Sequence, residues 1–308
     1  MRNLDYMDVH TFLTIVSCES LSKAADLLFV SQPALSHRLT KLEKELGVKL
    51  MVRGKGVRNI RLTEEGKHFI PIAEKWENLY FETQKIRQSD AKELLRVSNV
   101  DSLNESLMTS VCTDFLSRNH QCRLHLTTLR SDAAYEAAEN HEIDLGLIMN
   151  PRFSRTIRTV PLFEENLSFV CSVSSDYKGP LVSASLDASD EVYIPWGNTF
   201  LRWHDYWFGP AAETRITMDH MALLERILSL DHTWAIVPAT IAAKLVKTGK
   251  IRRVPLEDGP APRTCYGILK QNEKERSWIA DFIKEFIRQA EKTPEIRVLE
   301  TSRQPSYE

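Results

Sequence analysis

The 308-residue sequence predicts an α/β protein headed by a small, helix-rich module. Three observations carry this expectation. Apolar residues recur at helical spacing through the first 46 positions. Positions 31–62 are strongly basic on an otherwise acidic chain. From residue 93 onward, strand-length apolar runs alternate with helical segments, the signature of a sheet with helices on its faces.

Composition narrows the classes. Hydrophobic residues make up 43% and charged residues 27%, ordinary for a globular chain and unlike collagen, coiled-coil rods or disordered tails. At ~150 residues per domain, about two domains fit. No uncharged apolar run approaches the ~18–20 residues of a membrane span, so no membrane partner is expected. Met1-Arg2-Asn3-Leu4-Asp5 is followed by no apolar signal core, which points to the cytoplasm. The cysteines at 18, 112, 122, 171 and 265 form no CxxC pair and read as reduced thiols, with neither a disulfide framework nor a metal site.

In the head, Val9, Phe12, Leu13 and Val16 set the first helix, and Leu21, Ala24, Ala25 and Leu28 the second. After a break at Phe29-Val30, Ser31 caps a third, with Pro33 in its first turn, where the missing N–H costs nothing. Leu35, Leu39, Leu42 and Leu46 share one arc of this helix. Pro33, His37, Thr40, Lys41 and Lys44 share the opposite arc, flanked by Ser36, and Gly47 ends it. One greasy side and one polar, basic side with short residues at the start suit a helix that enters the DNA major groove. Leu50–Arg53 and Ile60–Leu62 then read as a two-stranded wing joined through Gly54-Lys55-Gly56-Val57, placing Lys55 and Arg58 against phosphate. Between 31 and 62 stand eight basic residues and two acids, a local +6; from a net charge of -2 the remainder is -8. Such asymmetry fits one segment meeting nucleic acid.

These residues carry a resemblance. Leu21-Ser22-Lys23-Ala24-Ala25, Val30-Ser31-Gln32-Pro33-Ala34-Leu35-Ser36, Leu42-Glu43-Lys44-Glu45-Leu46-Gly47 and Leu62-Thr63-Glu64-Glu65-Gly66 resemble the winged helix-turn-helix of LysR-type transcriptional regulators, in order and spacing, over residues 5–66. The resemblance implies base-reading positions at Ser31, Gln32, Pro33, Ser36 and His37. Many members carry Arg where this chain has His37, so the preferred bases there differ.

Thr63 caps the next helix, with two acids in its first turn. Phe69, Ile72, Trp76, Leu79 and Ile86 follow a heptad-like rhythm, and Pro71 restricts an early turn. The stripe packs either on its own domain or on a second copy. It is too long for a small head to cover, and the resemblance likewise implies a dimerising linker. Residues 1–62 are thus the winged helix-turn-helix, 63–92 the linker helix and hinge, with the hinge at Gln88-Ser89-Asp90-Ala91.

The body predicts strands at 94–99, 123–129 and 143–149 alternating with helices at 104–117 and 133–140. Extended segments follow at 156–163 and 166–172. A second group has strands at 192–194, 215–218 and 234–237, with helices at 200–208, 220–230 and 238–246. A strand at 264–269 and an amphipathic helix at 277–291 close the pattern. Mostly parallel sheets are expected. The family resemblance implies a two-lobed effector domain of the periplasmic solute-binding type (type II), with lobe I at 93–163 plus 266–293, lobe II at 164–265 and a loose tail at 294–308. His232-Thr233-Trp234 replaces a glycine-rich turn of many members and is expected to narrow the cleft.

Ligands of open α/β sheets gather beyond the carboxyl ends of strands. Those ends give Asp101, Ser102, Leu103, Thr128, Arg130, Met149 and Asn150 in the first lobe, and Trp196, Asn198, Thr199, Asp219 and Pro238 in the second. Asp101 opposes the anion preference of a helix start there, and Arg130 favours it, so the sign of the effector stays open. Ser102 and Thr128 either orient a ligand or cap their helices.

No GxSxG, GxxxxGK[ST], GxGxxG or HExxH sequence occurs, so neither catalysis nor a cofactor is expected. His204-Asp205, among Trp196, Phe200, Trp203, Trp207 and Phe208, reads as lobe core with Asp205 orienting the imidazole; a ligand-stacking wall and a metal or acid–base site are the other readings. The resemblance implies a dimer or tetramer that binds operator DNA and a small-molecule effector, with RNA polymerase as a further partner. The alternative is a ligand-binding or enzymatic α/β protein with a vestigial helix-turn-helix.

Overall fold

The computed structural model describes residues 4–53, 60–85, 93–271 and 277–300. Lys55, Arg58, Ile86 and the expected hinge at 88–91 lie outside them. The chain divides into two units, Met1–Ala91 and Lys92–Glu308.

In the first unit, α1 (Tyr6–Cys18), α2 (Leu21–Leu27) and α3 (Gln32–Leu46) follow the sequence pattern. Asp5, Ser20 and Ser31 each cap the helix that follows by accepting a backbone N–H, and Gly47 closes α3 at φ 77°. Val9, Phe12, Ala24, Leu35 and Leu42 bury where the three helices meet. β1 (Met51–Arg53) and β2 (Ile60–Leu62) pair antiparallel as the wing. A buried carboxylate ties this wing to α3: Glu43 accepts the Leu50 and Met51 backbone N–H groups at 2.9 and 3.3 Å and the Lys49 ammonium.

Thr63 Oγ1 accepts from Gly66 N at 2.9 Å and caps α4 (Glu64–Lys85). A Cβ at Gly66 would lie 2.1 Å from the Leu50 carbonyl oxygen, so the close approach of α4 to β1 requires glycine. The stripe on α4 divides. Phe69 and Trp76 pack into the core of their own unit beside buried Ala73, while Ile72 and Leu79 stay 58% and 60% exposed. At 100° per residue the two pairs sit on neighbouring arcs, so a stripe that looks single in sequence serves two surfaces. Phe69 and Trp76 are thereby corrected from partner contacts to intra-unit packing.

The second unit holds two lobes. In lobe I, β3 (Glu93–Asn99) pairs parallel with β4 (Cys122–Thr128) and β5 (Leu145–Ile148). β12 (Arg263–Lys270) is antiparallel to β5 and to β6 (Ile157–Glu165), and β13 (Ile296–Val298) to β6, giving the order β13-β6-β12-β5-β3-β4. α5 (Asp101–Leu103), a wider π-type turn (Asn104–Met108) and α6 (Thr109–Arg118) form one continuous helical run. α6 and α11 (Ser277–Glu291) cover one face through Phe115, Phe282 and Phe286; α7 (Ser131–Glu139) packs separately with Tyr135, Ile148 and Ile268.

In lobe II, β7 (Leu167–Ser172) lies between β10 (Trp234–Pro238) and β11 (Ile251–Val254), all antiparallel. β8 (Val192–Tyr193) pairs parallel with β9 (Ile216–Thr217) and reaches β10 through a Glu191–Trp234 bridge. α8 (Asn198–Phe208), α9 (Leu224–Leu228) and α10 (Ala239–Val246) share its core with Trp234.

Four expectations change. The lobe I sheet is mixed rather than mostly parallel, because β6 and β12 run between the lobes and enter it against its parallel core, and the β10-β7-β11 sheet of lobe II is antiparallel throughout. The tail expected to be loose contributes β13. Helix 220–230 shrinks to a single 3-10 turn (Met221–Leu223) and α9. His232-Thr233-Trp234 stays out of the cleft: Thr233 and Trp234 are buried, and Trp234 stacks on Phe169 in the lobe II core.

Glu43→Ala leaves two buried N–H groups without an acceptor and should cost on the order of 2–4 kcal/mol. Urea denaturation of the full chain followed by circular dichroism measures it; an unchanged midpoint refutes this role for Glu43.

Candidate functional site

Two surfaces carry the residues singled out by sequence. On the first, Ser31, Gln32, Pro33, His37, Thr40 and Lys41 all lie on the exposed side of α3, with Ser36 half-buried between them. Their opposite numbers Leu35, Leu39 and Leu42 fill the core. Lys41 is held rather than loose: its ammonium sits 2.7 Å from the buried Asp8 carboxylate of α1. That contact raises the Lys41 pKa, chiefly through the hydrogen bond to Asp8, so it stays a cation. Thr40 Oγ1 donates to the Ser36 carbonyl at 2.9 Å.

The second surface is a cavity of about 590 Å³ between lobes I and II. The ends of β3, β4 and β5 line it with Asp101, Ser102, Thr128, Arg130, Met149 and Asn150, and lobe II adds Trp196, Asn198 and Asp219. Three expected residues do not line it. Leu103 points into the lobe I core, Pro238 is buried at the end of β10 against Leu167, and Thr199 stands at the start of α8 between the lining residues Asn198 and Leu201 without joining them.

The cavity's most connected residue was not expected from sequence. Arg263, at the start of β12, is 7% exposed and lines the cavity. Its Nε donates to Glu165 Oε1 at 2.9 Å, with Nη2 on the same oxygen, and its Nη1 donates to Ser102 Oγ at 3.0 Å. The guanidinium carbon lies 5.0 Å from the centre of the Trp196 ring, within cation–π range. Glu165 Oε2 in turn accepts from Thr240 Oγ1 at 2.9 Å, at the head of α10. Ser102 therefore neither caps its helix nor stands free; it is the lobe I end of a buried chain that reaches lobe II.

Other ties cross the cleft. Asp101 Oδ2 accepts the Met221 backbone N–H at 2.8 Å. Lys244 pairs with Glu105. Gly197, at φ 110°, lies so close to Asn150 that a Cβ would come within 2.0 Å of its side-chain oxygen. Within lobe I, Thr128 Oγ1 accepts from Asn104 Nδ2 at 2.9 Å.

His204 is paired, but not with Asp205. Its Nε2 lies 2.7 Å from Glu191 Oε2, both side chains buried beside Tyr193, Phe200 and Phe208. Burial pushes the Glu191 carboxyl above the usual carboxylate range, with His204 pulling it back. Phe200 is lobe core with Trp203 and Phe208 packed against it, and Trp196 both borders that core and lines the cavity. All five cysteines are free thiols, and burial raises Cys112, Cys122 and Cys265 above the ordinary thiol value. No helix among the described residues is long and apolar enough to cross a membrane.

A helix-turn-helix head with a wing, followed by a two-lobed α/β unit with a polar cleft, defines a ligand-responsive DNA-binding regulator. Residues 7–67 match the "Bacterial regulatory helix-turn-helix protein, lysR family", and residues 88–291 match the "LysR substrate binding domain". The chain belongs to the LysR family: it is a DNA-binding transcriptional regulator with an effector-binding domain. It is 25% identical over 303 residues to the HTH-type transcriptional regulator CitR of Bacillus subtilis, covering 92% of this chain and 99% of that one. It is 30% identical over 204 residues to the Hca operon transcriptional activator HcaR of Escherichia coli, covering 63% and 66%. Among solved structures, full-length CbnR in complex with its target DNA shares the fold at a TM-score of 0.71 and 21% identity, covering 93% of this chain and 100% of that one.

Arg263→Met strands the buried Glu165 carboxylate and should lower stability by about 3–5 kcal/mol. Arg263→Met with Glu165→Gln removes the stranded charge and should recover part of that loss. Equal denaturation midpoints for the single and double variants refute the pairing as the cause.

Proposed function

We propose that this regulator senses a small polar effector in the cavity between its lobes and acts as a homodimer or homotetramer on two-fold-symmetric operator DNA. It acts by binding rather than catalysis, in the cytoplasm, with RNA polymerase as a further partner at the promoter. The cavity carries the reading: nine of the twelve residues expected to meet an effector line one space of ligand size. An effector that binds one arrangement of the lobes better than another biases the equilibrium between them by its difference in affinity.

On DNA, Ser31, Gln32, Pro33, Ser36 and His37 meet base edges, while Thr40, Lys55 and Arg58 meet the sugar-phosphate backbone. Lys41, fixed to Asp8, orients α3 and adds positive charge near the same backbone. In the assembly, Ile72 and Leu79 form the part of the α4 stripe that meets a second copy, and Ile86 continues it.

The test begins with full-length protein and duplexes selected from a randomised library. Ser36→Ala and His37→Ala should each cost roughly 1–3 kcal/mol on the best duplex and relax its base preference. Unchanged preference in both variants refutes the assignment. A metabolite panel is then screened by thermal shift. Leu201 is exposed on the cavity wall, so Leu201→Trp should block the space without unfolding the lobe. Its DNA affinity should match wild type while ligand-induced stabilisation disappears; stabilisation that survives places the effector elsewhere.

Ile72→Glu with Leu79→Glu puts charge on the exposed half of the stripe. Desolvating it against a partner helix should raise the dissociation concentration at least tenfold, with melting little changed. Sedimentation showing an intact assembly at low micromolar protein refutes the placement.

A further inference from the structure

Phe29 is the most exposed large apolar side chain among the described residues, at 95%. It sits in the turn between α2 and α3 with φ 53°, the left-handed region that L-residues with bulky side chains rarely occupy. The other non-glycine residues at positive φ among the described residues are Glu19, His141 and His232, all polar. The turn itself is fixed by backbone bonds, Phe29 N to the Asp26 carbonyl at 3.2 Å and Val30 N to the Ala25 carbonyl at 3.0 Å. None of these bonds uses the ring. Glycine or asparagine would hold the same turn with less strain. In the free chain, then, the phenyl group gains nothing from burial, although its backbone conformation is costly.

Its position lies beside the start of α3. Phe29 stands two residues before Ser31, the cap of α3, and beyond half-buried Val30 the residues Ser31, Gln32, Pro33 and Ala34 are all exposed. A ring there is continuous with the face that this regulator presents to DNA. We propose that Phe29 is a further specificity-determining residue, whose ring packs on a thymine C5-methyl group at the outer edge of each half-site. The major groove exposes that methyl group on thymine alone, and apolar contact is how it is read. A ring has no hydrogen bond to offer a phosphate, so a contact to the backbone would leave the methyl group of thymine without influence.

This inference rests on the assignment of α3 as the DNA-reading helix. The probe is the duplex that the full-length wild-type chain selects from a randomised library, remade with uracil in place of thymine at one position at a time. Wild type should lose about fourfold in affinity at one outer position per half-site, the worth of one buried methyl group. Phe29→Asn suits the left-handed turn and should melt no lower than wild type; if it fails to fold, Phe29→Gly takes its place. The variant should bind the thymine duplex about as weakly as wild type binds the uracil duplex, and should not distinguish the two at that position. Thymines read by Pro33 or Ala34 keep their uracil effect in the variant, so the contacts are separable. The proposal is overturned if the variant keeps the full wild-type uracil profile, or if it weakens binding without removing sensitivity at any thymine. Unchanged DNA affinity with impaired transcription also overturns it, and assigns the ring to a protein partner. If wild type selects no duplex, the reading-helix assignment falls as well.

Discussion

The effector domain depends on one buried ion pair. Arg263 and Glu165 stand at the ends of β12 and β6, the two strands by which the chain passes between the lobes. Their side chains are 5% and 1% exposed, so each charge has lost its water and relies on the other. Removing an ion from water costs several kcal/mol, which excellent geometry and further hydrogen bonds must offset. Here Ser102, Trp196 and Thr240 complete the shell, drawing one residue from lobe I and two from lobe II. The crossing point is thus pinned to both lobes by one connected set of contacts. Because Ser102, Trp196 and Arg263 also line the cavity, whatever fills the cavity meets the residues that fix the lobes. The Asp101–Met221 bond and the Lys244–Glu105 pair extend the same connection along the cleft.

The DNA-binding unit uses buried carboxylates in the same way. Asp8 and Glu43 are 4% and 6% exposed. One draws Lys41 of α3 toward α1, and the other draws the first wing strand toward α3. The greasy arc of α3 decides which side faces in, whereas these two contacts decide its tilt and its distance from the wing. Ser31 and Lys41 serve this frame as cap and anchor, whereas Gln32 and His37 lie exposed between them.

Much of this was legible in the sequence, for a definite reason. Amphipathic periodicity is local, so Leu35, Leu39 and Leu42 betray their helix, and Ser31 and Gly47 its ends. Strand ends in an α/β pattern are local too, which is why Asp101, Thr128, Asn150 and Asn198 fell in the cavity. What escaped was long-range. Glu165 lies 98 positions from Arg263, and nothing near either one announces the other. His204 has a tempting neighbour in Asp205, yet a helix sends adjacent side chains about 100° apart, and the imidazole found Glu191 instead. β11 carries Arg252 and Arg253 at its centre, a polar core that hides an edge strand. Strand direction hid for the same reason. A segment that pairs after passing through another lobe leaves no helix-length crossover to mark its orientation.

The linker helix shows how one segment serves two purposes. Tyr80 of α4 stacks on Tyr6 of α1 with ring centres 3.8 Å apart, Glu77 meets His10, and Trp76 lies parallel to Tyr80 along the same face. α1 in turn grips α3 through Asp8 and Lys41. The arc of α4 that bears Phe69, Ala73, Trp76 and Tyr80 is therefore rigidly joined to the reading helix, while the neighbouring arc with Ile72 and Leu79 remains open. In the proposed dimer, the angle at which two α4 helices cross fixes the separation of two α3 helices, with no flexible joint among the described residues between them. Half-site spacing on the operator then follows from packing on α4, and base preference from the outward face of α3. These are separate parts of the sequence, so operator spacing and operator sequence can change independently.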